Sequence, residues 1–171
     1  MTTISRLNDV DIDAVATLVD TCKEDATKAA TTWRAEVHWK GGFRSEGRIR
    51  EFDPVPSDEP VVLGGTDTAP NPVEQLLAAL GNCLAVGVAA NATARNITLR
   101  SLSIEVEGDL DLSTFLGLAP GHAGFQSITA RIRVDSDAGP EEISDLVQYV
   151  SNTSPVGHTL AREIPVEVVP A

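Results

Sequence analysis

The sequence is poor in the residues that bind metals and carry redox chemistry. Its 171 residues include three histidines and two cysteines, Cys22 and Cys83, which lie far apart in the chain. No Cys-x-x-Cys pair and no close set of histidine and cysteine residues occurs, so we expect no metal site and no cofactor. A structural disulfide is not expected either, because we expect a cytoplasmic protein and the cytoplasm keeps thiols reduced.

Positive charge is also scarce. The chain has 13 lysine and arginine residues against 25 acidic ones, which gives a formal net charge of −12 at pH 7. A surface of this sign repels phosphate backbones and anionic lipid headgroups, and no basic cluster offsets it. Nucleic acid is therefore not an expected partner.

Long apolar runs are missing as well. No stretch reaches the roughly 18 uninterrupted apolar residues that indicate a membrane span. The first residues, MTTISRLNDVDID, contain early acids and lack the apolar segment of a signal peptide. We expect a cytoplasmic protein without a membrane partner.

Aliphatic residues must supply most of the core, because aromatic residues make up 4% of the chain. Hydrophobic residues make up 42%, which is enough for one core in a chain of this length and argues against disorder. The N-terminal pattern predicts an amphipathic helix that begins at Asn8 or Asp9 and ends near Ala30. Cys22 lies on the apolar face of this helix and is predicted to be a core residue.

The next segment reads as a hairpin followed by a loop. Apolar residues alternate with polar ones from Trp33 to Trp39, which predicts a strand with one buried face. Lys40-Gly41-Gly42 is a turn signal, and residues 43–52 are predicted to form the return strand. A loop should follow over residues 53–65, with a short strand possible at residues 61–63.

The most distinctive predicted element is a helix from Val73 to about Arg95. Asn71 suits its N-cap, proline suits the position that follows, and Glu74 complements the helix dipole. Its residues are apolar on nearly every side, so we expect it to be the buried central helix. Gly81 and Gly87 indicate close approach by a neighbouring backbone.

The remaining elements complete an α+β pattern. Alternating residues predict strands at 102–106 and 128–134, separated by a long insertion over residues 108–125 with a short helix possible at 112–116. A helix with one apolar face begins at Pro140, and residues 164–168 are predicted to form a final edge strand. The order lacks regular βαβ alternation, which indicates an α+β fold.

Several motifs, taken together, resemble the OsmC/Ohr family over about residues 32–169. The spacing from Pro72 to Cys83, combined with a closing Ser-Pro-Val segment, is specific, whereas each motif alone is weak. The motifs are DEP at 58–60, LGGTD at 63–67, PNPVEQLLAALGNC at 70–83, EGDLDLSTFLGL at 107–118, GFQSI at 124–128 and SPVGHTL at 154–160.

The resemblance implies an OsmC-like fold, with antiparallel sheets wrapped around the long central helices of an intertwined homodimer. Residues 32–171 would form this domain, and residues 1–31 would be an added helical extension. The active site would lie at the subunit interface. Known activities in the family are thiol-dependent reductions of organic hydroperoxides by a peroxidatic cysteine, a resolving cysteine and an Arg–Glu pair.

The family's site residues map onto this chain with departures. Cys83 matches the peroxidatic position, whereas the resolving position holds Ser154, which cannot form a disulfide. Arg44 is the best candidate for the arginine and Arg48 the second. Glu74 lies one position after the expected glutamate, and nine helical steps at about 100° place it roughly opposite Cys83 on an unbroken helix.

Two functions therefore remain open. The first is a one-cysteine peroxidase in oxidative stress defence, in which Cys83 reduces organic hydroperoxides and an external thiol regenerates it. The second is a non-catalytic dimer that binds a small apolar or reactive metabolite at the subunit interface. At residue level, Cys83 is either the nucleophile or a small buried apolar residue. Ser154 with His158 is either a nucleophile and base or an ordinary N-cap, and the cap is favoured.

Overall fold

The computed structural model describes residues 6–170, which form two compact units. One unit runs from Asp13 to Leu76, and here we call it the hairpin unit. The other unit combines the residues up to Ile12 with those from Leu77 onward, and we call it the helix–sheet unit. Helices and antiparallel strands are both present, so the expected α+β class is confirmed.

The N-terminal helix is shorter than predicted. A 3-10 turn at Leu7–Asp9 precedes helix α1, which spans Ile12–Glu24, and a second 3-10 turn follows at Ala26–Ala29. Asn8 does not cap α1, because it adopts a left-handed conformation with φ of 53°. Its side chain instead donates to Thr93 Oγ1 in the last turn of the central helix and to the carbonyl of Ile97 just beyond that helix. Cys22 is half-buried, so its predicted place in the core is wrong.

The predicted hairpin forms, but its apolar face is exposed. Strand β1 (Glu36–Gly41) pairs antiparallel with β2 (Arg44–Arg48), and β2 pairs with β3 (Val55–Ser57). Positive φ angles at Gly41 and Gly42 supply the turn. The side chains predicted to be buried are largely exposed, with Val37 at 67% and Trp39 at 75%.

The loop after the hairpin also differs in detail from the prediction. Residues Val61–Leu63 form a 3-10 turn and not a strand, and the turn ends at Gly64, whose φ is 90°. The chain then passes so close to itself that a Cβ at Gly65 would lie 1.8 Å from the Glu59 carbonyl oxygen. Glycine is therefore required at this position.

The long central helix is present as predicted. Helix α2 spans Pro72–Ala94, and its buried residues Leu80, Leu84, Val88 and Ala92 follow a spacing of four. This spacing places them on one face of the helix. The opposite face is open in the single chain, with Val86 70% exposed, so the prediction of burial on all sides is wrong for one chain.

A two-stranded sheet packs on the buried face of α2. Strands β4 (Leu99–Leu110) and β5 (Phe125–Ser136) are paired antiparallel along their length, which confirms the predicted partnership. One sheet face carries apolar residues that pack against the core cluster, with Ile104 opposite Ile132. The alternate positions of both strands are exposed and carry charged pairs such as Arg133 with Glu105.

Helix α3 completes the core of the helix–sheet unit. It spans Pro140–Thr153, and its predicted apolar face is confirmed because Leu146 and Val150 are almost completely buried. A Cβ on Gly87 would lie 2.6 Å from Val150 Cγ1. The expected close approach at Gly87 therefore exists, but it involves a side chain of α3 and not a backbone.

Two predicted elements in the C-terminal half, a short helix at 112–116 and a strand at 164–168, are absent from the described residues. The segment 112–116 forms turns and not a helix. Helix α4 (Pro155–Leu160) follows α3, and residues 163–170 then run without secondary structure, so the predicted strand at 164–168 is wrong. Ile164 and Val166 are exposed there, and neither belongs to a sheet of the described residues.

Helix α2 is long and apolar enough to cross a membrane by length and composition. Its buried face, however, packs on the open sheet of β4 and β5. The edges of such a sheet leave backbone groups that need hydrogen bonds, which a bilayer interior cannot supply. The structure therefore favours a core helix over a membrane span.

Candidate functional site

Cys83 and Ser154 meet in the helix–sheet unit. Cys83 projects from the middle of α2, whereas Ser154 lies at the junction of α3 and α4, and the Cys83 Sγ and Ser154 Oγ atoms are 3.2 Å apart. The thiol is half-buried, and Ser154 is only 4% exposed. Two residues that are distant in sequence and were both identified as site candidates are thus in hydrogen-bonding contact.

Ser154 also caps the helix that follows it. Its Oγ accepts a hydrogen bond from the backbone N–H of Gly157 at 3.0 Å, and Pro155 occupies the first helical position. This arrangement is that of an ordinary N-cap. The sequence therefore folds here so that the capping hydroxyl faces the cysteine of α2.

Ser154 and His158 do not form a nucleophile–base pair. His158 is exposed, and its Nε2 lies 2.9 Å from the carbonyl oxygen of Asn152. The Ser154 hydroxyl is occupied by Gly157 and Cys83. Of the two interpretations of Ser154, the structure supports the cap.

A cavity of about 420 Å³ lies beside this contact, and Ser154 forms part of its wall. Its volume is within the range of small-molecule sites. Leu80, Leu84, Ile128 and Leu160 give the wall apolar groups, and serine and glutamine side chains give it a comparable share of polar groups. The complete lining is Leu80, Leu84, Phe125, Gln126, Ser127, Ile128, Ala130, Ser151, Ser154, Gly157, Leu160 and Ala161.

The two candidate arginines belong to strand β2 of the hairpin unit. Arg44 and Arg48 are both exposed, at the two ends of this strand. The Nε of Arg44 donates to the carbonyl of Gly41 at 3.4 Å, within its own turn. Cys83 belongs to the other unit, so a role for either arginine at the thiol stays a prediction.

Glu74 forms a reciprocal capping box with Asn71. The Glu74 N–H donates to Asn71 Oδ1 at 2.9 Å, and the Asn71 N–H donates to Glu74 Oε2 at 2.8 Å. This pairing satisfies two backbone donors at the start of α2. It confirms Asn71 as the predicted N-cap, whereas the return bond from Asn71 N–H to Glu74 was not predicted. The geometry explains Glu74 as part of the helix start, and its catalytic role stays a prediction.

Asp58 is the polar residue whose importance the sequence did not reveal. Its carboxylate is 1% exposed and accepts hydrogen bonds from the backbone N–H groups of Glu59, Thr66 and Thr68 and from both threonine hydroxyls. The hydrogen bond from the Thr66 hydroxyl is the main cause that holds the pKa of Asp58 far below its usual range. The sequence analysis identified Asp58 only as part of the DEP motif at 58–60, although the two threonines after the glycine pair were an available signal.

Metal and disulfide chemistry have no counterpart in residues 6–170. Both cysteines are free thiols there. No group of three or more histidine, cysteine, aspartate or glutamate side chains is arranged to hold a metal ion in that range. The candidate site in this range therefore consists of a thiol, a hydroxyl and an adjoining cavity.

Comparison with solved structures identifies the fold. An OsmC-like protein from Mycoplasma pneumoniae superposes with a TM-score of 0.66 at 20% identity, covering 77% of this chain and 88% of its own. An organic hydroperoxide resistance protein OsmC from Legionella pneumophila gives 0.59 at 18% identity, with 77% and 91% covered.

A third neighbour carries a ligand in its active site. It is a putative organic hydroperoxide resistance protein from Vibrio cholerae, with a TM-score of 0.53 at 13% identity and coverage of 77% and 86%. Its crystal structure contains captopril in one of the active sites. At such low identities these likenesses establish the fold alone.

Comparison of sequences establishes the family. No curated protein sequence matches the chain significantly. The family model described as OsmC-like protein, however, matches residues 65–169. This range contains α2 with its cysteine, the sheet of β4 and β5, and the junction that carries Ser154. On that match, which covers more than half of its residues, the chain belongs to the OsmC-like protein family.

Proposed function

We propose that this protein is a thiol-dependent peroxidase that reduces organic hydroperoxides at Cys83 in defence against oxidative stress. The observation that carries the proposal is the contact between the half-buried Cys83 thiol and the Ser154 hydroxyl, which itself lines a cavity with both apolar and polar walls. Membership of the OsmC-like family supports it. So do the fold neighbours from Legionella and Vibrio that are named organic hydroperoxide resistance proteins.

The proposed reaction begins with the thiolate of Cys83, because the neutral thiol is a poor nucleophile. The sulfur attacks the distal oxygen of ROOH, an S–O bond forms and the O–O bond breaks. Cys83 becomes a sulfenic acid, and the organic part leaves as an alkoxide that takes a proton to give the alcohol ROH. The sulfur loses two electrons, and the peroxide gains them.

Regeneration requires a thiol from outside the site. Ser154 occupies the place of a resolving cysteine, and a hydroxyl cannot form a disulfide. A first external thiol condenses with the sulfenic acid, releasing water and leaving a mixed disulfide on Cys83. A second thiol then attacks this disulfide and returns Cys83 to its reduced form. The cytoplasm, where small thiols are kept reduced, is the proposed compartment.

The same proposal assigns roles to the candidate charged residues. Arg44, or Arg48 as the second choice, stabilises the thiolate and the departing alkoxide through its guanidinium group. Glu74 positions the arginine. We also propose that the active protein is a homodimer, because Val86 on α2 and Trp39 in the hairpin unit are large apolar residues left exposed in one chain. In that dimer, residues 32–171 form the OsmC-like domain and residues 1–31 a helical extension.

The direct test is trapping of the sulfenic acid. The protein is treated with cumene hydroperoxide and dimedone, and its intact mass is then measured. We expect one adduct at Cys83 within seconds to minutes, its loss in Cys83→Ser and its retention in the matched control Cys22→Ser. A folded protein whose Cys83 stays unmodified under these conditions would contradict the peroxidase proposal. Peroxide consumption with dithiothreitol, glutathione or a dihydrolipoyl compound then identifies the reductant class.

A second candidate function is a non-catalytic dimer that binds a small apolar or reactive metabolite at the subunit interface. The apolar residues Leu80, Leu84 and Ile128 in the cavity wall favour it, together with the capping role that already accounts for Glu74. In that case Cys83 contributes a small side chain beside the ligand and is not oxidised rapidly. Retained binding of an apolar fluorescent probe in Cys83→Ala, combined with no dimedone adduct in the wild type, would favour this function.

A further inference from the structure

The contact between Cys83 and Ser154 has a direction that the surrounding hydrogen bonds determine. A serine hydroxyl has one proton to donate and two lone pairs to accept with. One lone pair of Ser154 Oγ is used by the N–H of Gly157, which can only donate. The hydroxyl proton is therefore available for another acceptor, and Cys83 Sγ lies 3.2 Å away.

The protonation state of the sulfur decides how strong this bond is. A neutral thiol is a weak donor and a weak acceptor, so its bond to the hydroxyl contributes little in either direction. A thiolate has no proton, and Ser154 must then be the donor in a charge-assisted bond, which is roughly twice as strong as a neutral one. A hydrogen bond that is stronger to the charged form favours that form.

Burial increases the effect. Ser154 is 4% exposed, so water competes poorly for its hydroxyl. The cap bond to Gly157 also fixes the position of the oxygen, and the chain does not have to reorganise when the sulfur ionises. A cysteine in the same place, as in two-cysteine relatives, is a much poorer hydrogen-bond donor.

We propose that Ser154 is a catalytic residue that donates a hydrogen bond to the Cys83 thiolate and so keeps the sulfur in its reactive form. The inference deepens the proposed peroxidase function and rests on it for its biological meaning. With serine at the position of the resolving cysteine, the residue cannot form a disulfide and instead activates the Cys83 thiol. The external thiol described above completes the cycle.

The test measures the reactivity of Cys83 without any peroxide. In a Cys22→Ser background, the rate of alkylation by iodoacetamide is followed by mass from pH 5 to pH 10, and the midpoint of the pH–rate curve is compared between variants. For Ser154→Ala we expect the midpoint to move up by about one pH unit. At pH values below the midpoint, the alkylation rate should fall roughly tenfold. Both changes are those expected for the loss of one hydrogen bond to a charged group.

Two further variants separate donation from capping. Ser154→Asp keeps an acceptor for the Gly157 N–H but has no proton to donate at neutral pH, so its midpoint should rise at least as far as that of Ser154→Ala. Ser154→Thr keeps both functions and should restore the wild-type midpoint. The melting temperature of each variant reports separately how much the cap bond to Gly157 contributes to stability.

Two results would overturn the inference. One is an unchanged midpoint in Ser154→Ala together with a lower melting temperature, which assigns Ser154 to the cap alone. The other is a wild-type midpoint in Ser154→Asp, which attributes any effect of the alanine to loss of the cap. A third result separates the two proposals. If the midpoint rises in both Ser154→Ala and Ser154→Asp but the wild-type protein forms no dimedone adduct, the hydrogen bond to the thiolate is supported and the peroxidase function is rejected.

Discussion

Asp58 organises the loop that joins the hairpin to α2. The loop has few regular backbone bonds of its own, and the buried carboxylate satisfies three of its backbone N–H groups together with the Thr66 and Thr68 hydroxyls. A buried charge is tolerated only when it is paired or fully hydrogen-bonded. Here the hydrogen bonds stabilise the ionised form, which is why the pKa of Asp58 is lowered.

Replacement of this carboxylate should destabilise the protein in a pH-dependent way. In Asp58→Asn the new NH₂ group faces N–H and O–H groups that are themselves donors, so some of the hydrogen bonds to residue 58 are lost. The midpoint of urea unfolding should therefore fall clearly at pH 7. Because the folded pKa is lowered, the ionised side chain stabilises the fold fully above the unfolded pKa of about 3.9. That contribution is lost as the pH falls through the folded pKa.

The difference in unfolding free energy between wild type and Asp58→Asn should therefore be constant from pH 5 to pH 8 and shrink below pH 4. The matched control is Asp67→Asn in the same loop. Asp67 is exposed and has a left-handed φ of 55°, a conformation that asparagine also adopts readily, so this change should be nearly neutral. Equal urea midpoints for wild type and Asp58→Asn would contradict the role given to the carboxylate.

At the scale of elements, the packing of α2 against α3 depends on one glycine. A Cβ at Gly87 would meet Val150 Cγ1 at 2.6 Å, and valine cannot easily turn away because its branched side chain is confined in a helix. Alanine is better than glycine in a helix by about 1 kcal/mol. An overpacked core costs typically about 1–3 kcal/mol, so the clash outweighs this gain.

Gly87→Ala is therefore expected to lower the free energy of unfolding by up to about 2 kcal/mol, the difference between these opposing effects, in urea titrations. Gly81→Ala is the control in the same helix, where the added Cβ would lie 3.4 Å from Val106 Cγ2. It should be neutral or stabilising by up to about 1 kcal/mol. If Gly87→Ala is as stable as wild type, the two helices do not pack as closely as described.

The elements that the sequence predicts well are those whose signals are local and whose partners lie in the same chain. The capping box of Asn71 and Glu74 defines the start of α2, and its mutual hydrogen bonds are present. Strands β4 and β5 were paired correctly, since their alternating faces pack on the same core cluster. The apolar face of α3 was predicted for the same reason.

The predictions that fail share a physical cause. Alternation of apolar residues indicates that one face will be covered, but it does not identify the covering element. Residues 164–168 have a strand pattern but pair with no strand among residues 6–170. Val37 and Trp39 belong to a strand whose apolar face is exposed. At the site, sequence alone placed Cys83 and Ser154 as candidates. Their contact depends on the turn between α3 and α4, which a local pattern does not specify.

At the scale of the whole molecule, each unit by itself leaves apolar side chains in solvent. In the hairpin unit Val37 and Trp39 are more than two-thirds exposed, and in the helix–sheet unit the same holds for Val86 and Val166. Single exposed apolar residues are common, but several large ones within each unit usually mark an interface. A second copy of the chain is the partner that we propose for these surfaces, because it would present the same exposed apolar residues of the hairpin strand and of helix α2.

We expect the protein to have twice the mass of one chain in light scattering at micromolar concentration. Val86→Glu should dissociate it, because a carboxylate placed in the buried interface costs several kcal/mol if it stays unpaired. Gln148→Glu adds the same charge at an exposed position on α3 and should leave the mass unchanged. A wild-type protein that is monomeric, with Val86→Glu indistinguishable from it, would remove the basis for a site shared between subunits. If the proposed active site is shared between subunits, dissociation by Val86→Glu should also slow formation of the dimedone adduct.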